Sequence, residues 1–204
     1  MAYSALSGIR PQDEDAEYSS YFEWLDGDWK KIDIYDASQD GGTVVTRFNS
    51  GRRMKPDFMP TKIKRVDPNS PRTPMLDVER FPSCFLVCKE FKDIVEEFEP
   101  GVHQFFPMEI FESGDKIADY YLFNICTRLD TLHPELTFPR DDRGFLRPVK
   151  GKPFARVFAT AAIGDHHIYV DKFLGGTLMS NAIGERLKQA NLTGLKLSGP
   201  LKEA

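Results

Sequence analysis

The chain of 204 residues contains no apolar run that approaches the ~18–20 residues of a membrane-spanning helix. Its first twenty residues, MAYSALSGIRPQDEDAEYSS, lack the basic start and the apolar centre of a secretory signal peptide. We therefore predict a cytoplasmic protein with no membrane partner. The apolar fraction of 41%, including many aromatic residues, is sufficient for one domain with a sizeable hydrophobic core.

Cysteine is scarce in this chain. Cys84, Cys88 and Cys126 make an odd count in a sequence without an export signal, which predicts reduced thiols rather than disulfides. The segment FPSCFLVC is typical of a strand, so Cys84 and Cys88 would share one face with Leu86. We predict buried structural cysteines and no bound metal.

The sequence also lacks the common motifs of phosphate binding and catalysis. It contains no G-x-x-x-x-G-K-[ST], G-x-G-x-x-G, G-x-S-x-G, H-E-x-x-H or paired C-x-x-C. His166 and His167 are adjacent, and neighbouring side chains on a strand point to opposite faces, so the two cannot easily share a metal.

Candidate chemistry is therefore limited to isolated residues. Cys88 and His103 could pair a nucleophile with a base. His103 with Glu109, or His133 with Glu135, could form an acid/base pair. Structural or surface roles are the alternative for each of these residues, and we predict no catalytic residue and no cofactor.

The net charge of −4 conceals an alternation of acidic and basic blocks. Residues 1–50 and 83–135 carry net charges of −6 and −7, whereas residues 51–82 and 136–204 carry +4 and +5. Acidic surfaces repel a phosphate backbone, so we expect no direct nucleic-acid partner. They suit a basic protein partner, because complementary charge speeds encounter and fixes orientation. Ordinary solvated surface is the alternative for each block.

The clearest secondary-structure signal is an amphipathic helix that follows the strand at FPSCFLVC. Its apolar residues recur at i, i+3, i+4 and i+7, which is one face of a helix. They are Phe91, Ile94, Val95 and Phe98. Pro100-Gly101 then predicts the end of the helix.

Strands are predicted on both sides of this helix and elsewhere along the chain, with turns at Asp26-Gly27-Asp28 and Gly114. The further strand segments are 29–35, 43–48, 119–130, 166–173 and 195–197. Six prolines between residues 49 and 82 exclude a long helix there and predict an irregular connection. A last helix should follow Ser180 and end near Asn191.

The last helical unit echoes the first after a shift of 92 residues. Cys88 then corresponds to Ser180, and the helix positions Phe91, Val95 and Phe98 correspond to Ile183, Leu187 and Ala190. The match is imperfect, because Ile94 corresponds to Arg186. Both an ancient duplication and a frequent α+β solution explain this pattern.

Together these signals predict an α+β fold. We expect a single domain built of strand–helix–strand units, with a mixed, mostly antiparallel sheet and long loop-rich connections. Residues 1–20 are polar and predict a loose N-terminal arm, while residues 21–204 form the domain.

Two segments resemble a known protein family. PMLDVERFPSCFLVCKEFKDIVEEFEPGVHQFFPMEI, followed by DYYLFNICTRLDTL, resembles the central part of the MXAN-type immunity proteins, immunity family eleven of the bacterial polymorphic-toxin systems. The matching positions are Cys88, Phe91, Gly101, Phe105-Phe106-Pro107, Tyr120 to Asn124 and Asp130. IGDHHIYVDKF and MSNAIGERLKQANLTGLKLS extend the resemblance, which covers residues 75–198.

The resemblance implies an α+β immunity protein that binds and neutralises a cognate toxin, without catalysis and without a cofactor. It also implies a setting of type VI secretion and several toxin types, nucleases among them. Because no export signal is evident, we expect a toxin that acts in the cytosol, such as a basic nuclease or a nucleotide-consuming enzyme. Inhibition would occur by occlusion of its active cleft or by locking of a surrounding surface. The alternative is a small enzyme with a dispersed active site that uses Cys88 or a His/carboxylate pair.

Two surfaces are candidates for toxin binding. The N-terminal candidate surface combines acids with aromatic residues, which are favoured at interface centres. Its members are Asp13, Glu14, Asp15, Glu17, Tyr18, Tyr21, Trp24, Asp26, Asp28 and Trp29. The alternative is that its aromatics belong to the core and its acids to a solvated arm.

The second candidate surface consists of Glu96, Glu97 and Glu99. These acids lie at the C-terminal end of the first helix, where the helix dipole favours cations. An acid there costs about a few tenths of a kcal/mol. Either this cost is too small to be selected against, or the acids are present because they face a basic partner.

Overall fold

A computed structural model describes residues 3–8, 21–28, 30–32, 50–66, 74–81, 84–142, 146–151, 156–174, 176–198 and 202–203. Within these residues the chain forms thirteen strands and three helices, which confirms the predicted α+β class. No helix in the described ranges has the length and apolar character needed to cross a membrane.

Six strands form the larger sheet. They are β2 (Tyr21–Trp24), β3 (Lys62–Val66), β4 (Val78–Phe81), β5 (Cys84–Val87), β6 (Gln104–Glu112) and β7 (Asp115–Asn124). Their order in the sheet is β2-β3-β6-β7-β5-β4. All neighbours are antiparallel except β3 and β6. The predicted turn at Gly114 is confirmed, because Gly114 has a φ of 95° and joins the β6–β7 hairpin.

A second sheet has five strands. They are β1 (Tyr3–Gly8), β8 (Arg128–Leu129), β10 (Ile168–Asp171), β11 (Thr177–Ser180) and β12 (Leu195–Ser198). Their order is β12-β1-β11-β10-β8, and only the pair β8 and β10 is parallel. A short parallel pair joins β9 (Val157–Phe158) to β13 (Lys202–Glu203). The prediction of mixed, mostly antiparallel pairing is therefore confirmed.

The predicted amphipathic helix is α1 (Lys89–Phe98). Phe91, Ile94 and Val95 are buried, and Phe98 packs against the same cluster. The helix ends at Phe98, as the following Pro100-Gly101 predicts, because proline cannot continue the helix and Gly101 has a φ of 68°. Two further helices are α2 (Thr160–Ile163) and α3 (Asn181–Gln189).

The two units that echo each other in sequence begin their helices at corresponding residues. Cys88 is the N-cap of α1, and Ser180, at the shift of 92 residues, is the N-cap of α3. The buried faces of both helices meet in one core that also contains Phe123 and Val170. Because Phe123 lies on β7 and Val170 on β10, this core joins the two sheets.

A second core lies on the opposite face of the six-stranded sheet. It includes Leu86, Ile110 and Leu122 from the sheet and Ile32 and Met54 from the segments that cover it. Cys84 and Leu86 are buried in this core, whereas the half-buried Cys88 packs against both cores, so the shared face is confirmed for Cys84 and Leu86 only.

Three sequence predictions are corrected by the sheets. Residues 49–82 contain β3 and β4 rather than only an irregular connection, and β3 lies in the interior of its sheet. The strand predicted over 119–130 is two strands, β7 and β8, that belong to different sheets. The strand predicted over 166–173 is the shorter β10, Ile168–Asp171.

The predicted N-terminal arm is partly replaced by structure. Tyr3–Gly8 forms β1, which pairs with both β11 and β12, so the expectation of a loose arm does not hold there. Residues 9–20 lie outside the described ranges, as does the strand predicted over 43–48. Of the strand predicted over 29–35, only residues 30–32 are described, and Lys30 and Lys31 form a turn.

Candidate functional site

The N-terminal candidate surface is only partly described. Asp13, Glu14, Asp15, Glu17, Tyr18 and Trp29 lie outside the described residues. Tyr21 is described as a member of β2. Three members remain whose side chains have defined surroundings, namely Trp24, Asp26 and Asp28.

Trp24 is packed towards the interior. On β2, Phe22 and Trp24 share a face, and their ring centroids lie 5.9 Å and 6.1 Å from that of Phe81. Glu23 points to the other face and is exposed. The alternative that the aromatic residues belong to the core therefore applies to Trp24. Its ring is only partly accessible.

Asp26 anchors a turn rather than presenting a free carboxylate. Its oxygens accept hydrogen bonds from the Thr61 N–H at 2.8 Å, the Thr61 hydroxyl at 2.5 Å and the Lys62 N–H at 2.9 Å. Burial raises the pKa of Asp26, but these hydrogen bonds outweigh it and hold the pKa below its usual value. The 25–28 turn is thereby fixed to the start of β3.

Gly27 permits a close contact at this turn. It has a φ of 74°, and a Cβ atom there would lie 2.7 Å from the Phe58 carbonyl oxygen. The Asp28 N–H donates a hydrogen bond of 2.9 Å to the same carbonyl. The Asp28 carboxylate pairs with Lys31 at 3.2 Å, and its pKa is lowered mainly by that contact.

The same place carries two exposed apolar side chains that the sequence did not single out. Leu25 and Phe58 are each 52% exposed. Phe58 also has a φ of 67°, in the left-handed region that bulky residues rarely adopt. The Lys31 Nζ lies 5.3 Å from the centre of its ring. An aromatic residue within a proline-rich loop was the available signal, but its backbone conformation was not visible in the sequence.

The second candidate surface does not form one exposed acidic cluster. Glu97 is exposed and lies 3.8 Å from Arg186, and Glu96 accepts a hydrogen bond from the Gly101 N–H. Glu99 is only 6% exposed, so its carboxylate is not available to a partner in this structure. The expectation of three acids on one surface is corrected for Glu99.

Glu99 instead organises a buried polar network. Its carboxylate accepts hydrogen bonds from His103 Nε2 at 2.8 Å and from the His167 and Ile168 N–H groups at 2.9 Å each. Burial raises the pKa of Glu99, but these bonds outweigh it and the pKa lies below its usual value. His166 Nδ1 lies 3.6 Å away. An acid at this helix end thus has a structural use.

The isolated residues considered for catalysis are already engaged. His103 Nδ1 accepts the Cys126 N–H at 3.1 Å, so the ring proton on Nε2 is the one donated to Glu99. Neither nitrogen is left to activate Cys88, whose pKa is raised mainly by burial. His103 therefore pairs with Glu99 rather than with Cys88 or Glu109.

His133 is likewise held by the backbone. Its Nδ1 accepts the N–H groups of Glu135 and Leu136 at 3.2 Å each, a structural role of the kind that was the alternative to an acid/base pair with Glu135. His133 lines a depression of about 460 Å³ in which Asp130 is bound by Arg140. A second depression of about 570 Å³ lies on the face of β6 and β7 and includes Tyr121 and Glu109. Neither one brings a nucleophile and a free base together among the described residues.

The residues that the structure describes contain no group of three or more His, Cys, Asp or Glu side chains arranged to hold a metal ion. His166 and His167 precede β10 rather than lying on it and have different partners: His166 Nδ1 lies 3.6 Å from Glu99, and His167 Nδ1 pairs with the Ser180 hydroxyl at 2.7 Å. Its ring also packs against Phe98.

Two mixed sheets that share a core with two helices define an α+β protein, and Asp26 anchors its 25–28 turn to the start of β3. The family model described as Immunity protein family (Imm11) matches residues 11–199. The chain therefore belongs to this immunity protein family, which confirms the resemblance found in the sequence and supports an immunity role. Comparison with curated proteins finds no match.

Proposed function

We propose that this immunity protein neutralises a toxin that acts in the bacterial cytoplasm, by covering a surface that the toxin needs. Family membership over residues 11–199 supports a toxin as the partner. The observation that carries the proposal is the 25–28 turn, which is fixed by Asp26 and holds the exposed Leu25 close to the loop that carries the exposed Phe58.

The proposed mechanism is binding without catalysis. The polar groups first considered for chemistry are committed to structural contacts, His103 to Glu99 and to the Cys126 N–H, and His133 to backbone N–H groups. Inhibition then depends on steric cover and complementary charge, both of which operate without a cofactor.

A basic nuclease delivered by type VI secretion is the proposed toxin. A nuclease cleft binds phosphate and is therefore positively charged, so an acidic segment can occupy it in place of the substrate. The acids proposed for this contact are Asp13, Glu14, Asp15 and Glu17. The aromatic residues Tyr18, Tyr21 and Trp29 are proposed to flank them.

Co-expression with the neighbouring reading frame tests this function. That frame expressed alone should arrest growth, and co-expression of the immunity protein should restore it. The two purified proteins should elute together in size-exclusion chromatography. A non-toxic frame, or two separate peaks, would contradict the proposal, and a measurable turnover by the immunity protein alone would favour the enzyme instead.

Charge reversal separates the two candidate surfaces. Replacing Asp13, Asp15 and Glu17 by lysine should weaken protection, because a basic toxin would then be repelled. The matched control reverses Glu96 and Glu97, of which Glu97 is exposed. Protection that is lost with the control and kept with the N-terminal variant would move the proposed interface to α1.

A further inference from the structure

We propose that Leu25 and Phe58 form the apolar anchor of the toxin interface, and that the toxin offers an apolar pocket bordered by carboxylates to receive them. This inference rests on the proposed function, because it takes the toxin as the occupant. It assigns the contact to one small surface, which we call the anchor surface and which consists of Leu25, Phe58, Lys30 and Lys31.

Phe58 occupies a position that suits phenylalanine in neither backbone nor environment. Its φ of 67° favours glycine or asparagine, because the Cβ atom of other residues comes too close to the following carbonyl oxygen in this region. Its 52% exposure favours a polar side chain. Strained residues of this kind concentrate at functional sites, and a contact surface explains a large apolar ring held there.

The anchor surface is held rigidly before any partner binds. The Leu25 N–H donates to the Lys62 carbonyl at 3.0 Å, and the Asp28 N–H donates to the Phe58 carbonyl at 2.9 Å. Between these two bonds, Asp26 accepts three further hydrogen bonds from Thr61 and Lys62. Two segments far apart in sequence therefore form one platform, so binding costs little additional ordering.

The charge around the platform indicates the chemistry of the partner. Residues 21–28, 30–32 and 50–66 contain eight basic side chains, of which Arg65 is buried, and four acidic side chains. Asp26 is held by hydrogen bonds and Asp28 pairs with Lys31, which also lies over the Phe58 ring, while Lys30 and Asp57 are exposed. An apolar centre inside a basic rim is complementary to an apolar pocket with an acidic rim.

This surface is distinct in charge from the N-terminal acids proposed to enter a basic cleft. Asp13, Glu14, Asp15 and Glu17 would meet the toxin's phosphate-binding groups, whereas the anchor surface would meet a neighbouring acidic area. Binding through the two contacts should respond differently to salt concentration and to substitution, so their contributions to affinity can be measured separately.

The test uses a variant that suits the local backbone. Phe58→Asn removes the ring while placing in the left-handed region a residue that tolerates it, so the fold should keep or gain thermal stability. Leu136→Ser is the matched control, because Leu136 is 51% exposed and lies far along the chain, beside the depression that contains His133. Each full-length variant is titrated by calorimetry with a catalytically inactivated form of the toxin encoded by the neighbouring reading frame.

The expected result is an affinity for the toxin reduced about tenfold or more for Phe58→Asn, the scale of an interface hot spot, and unchanged for Leu136→Ser. Lys30→Glu with Lys31→Glu should slow association and weaken its dependence on salt.

Wild-type binding that Phe58→Asn leaves unchanged would overturn the anchor while the proposed function stands. No binding by the wild type would overturn both. A wild-type dimer that Phe58→Asn converts to monomer, with toxin affinity unchanged, would assign the surface to a second copy of this chain and overturn the toxin as occupant.

Discussion

Glu99 accepts a hydrogen bond of 2.8 Å from Nε2 of His103, four residues further along the chain. The same carboxylate accepts the N–H groups of His167 and Ile168 at the start of β10. One buried acid therefore ties the end of α1 to the five-stranded sheet.

Replacing Glu99 by glutamine should reduce the free energy of unfolding by about 1–3 kcal/mol at neutral pH, because an amide cannot accept all three hydrogen bonds and adds a donor facing donors. Urea unfolding followed by circular dichroism measures this loss. Glu97→Gln is the matched control, since the exposed Glu97 side chain should change stability by less than about 0.5 kcal/mol.

Glu99 also predicts how stability depends on pH. Its folded pKa lies below the ordinary value of 4.5, so the unfolded chain binds this proton more readily. Its contribution is present above the unfolded pKa and is lost as the pH falls through the folded pKa. The wild type should therefore lose more stability than Glu99→Gln on acidification from neutral pH, and parallel curves for the two proteins would contradict this assignment.

Asp26→Asn should destabilise the protein by about 1–2 kcal/mol, because the uncharged amide weakens the hydrogen bonds from Thr61 and Lys62. Thermal unfolding at neutral pH gives the change. Asp57→Asn is the control, since Asp57 is exposed in the adjoining loop. Equal midpoints for the two variants would show that the turn does not depend on the Asp26 charge.

Gly27→Ala should be more costly than Gly101→Ala. Both glycines have positive φ angles, 74° and 68°, so both variants lose about 1–2 kcal/mol for that conformation. Only Gly27→Ala would also place a Cβ atom 2.7 Å from the Phe58 carbonyl oxygen, whereas the Cβ atom of Gly101→Ala would meet no atom within 4 Å. Chemical denaturation of the two variants compares them, and the same loss in both would argue against the tight turn.

The three thiols should react slowly in the folded protein. Burial raises the pKa of Cys84 and Cys88, and raises that of Cys126 to about 11. At pH 8 the thiolate fraction of Cys126 should be about a hundredfold below that of a free thiol. Titration with a chromogenic disulfide before and after unfolding measures this, and one rapidly reacting thiol in the folded state would revive the enzyme alternative for Cys88.

Local patterns in the sequence predicted the helical units well. α1 and α3 follow from apolar periodicity, a small N-cap residue and a terminating glycine, all of which act within a few residues. The strand β3 was missed because KIKRV is mostly charged, although Ile63 and Arg65 alternate towards the interior. Its place between β2 and β6 depends on partners elsewhere in the chain.

The division of the 119–130 segment shows the same limit. Leu122, Phe123 and Ile125 are all buried, so the apolar run continues although the chain leaves one sheet after Asn124 and joins the other at Arg128. The residues before and after the chain changes sheets are both buried, so they are of the same apolar types. No periodicity in the sequence marks the point where the strand changes sheets.

The sequence alone determined the immunity family, the α+β class and the two strand–helix–strand units, because order and periodicity of residue types are local properties. Only the tertiary structure decided that Glu99 is buried while Phe58 is exposed. By composition the two would be expected the other way round. Long-range hydrogen bonds reverse this, since they satisfy a carboxylate inside the protein and hold a phenylalanine at its surface.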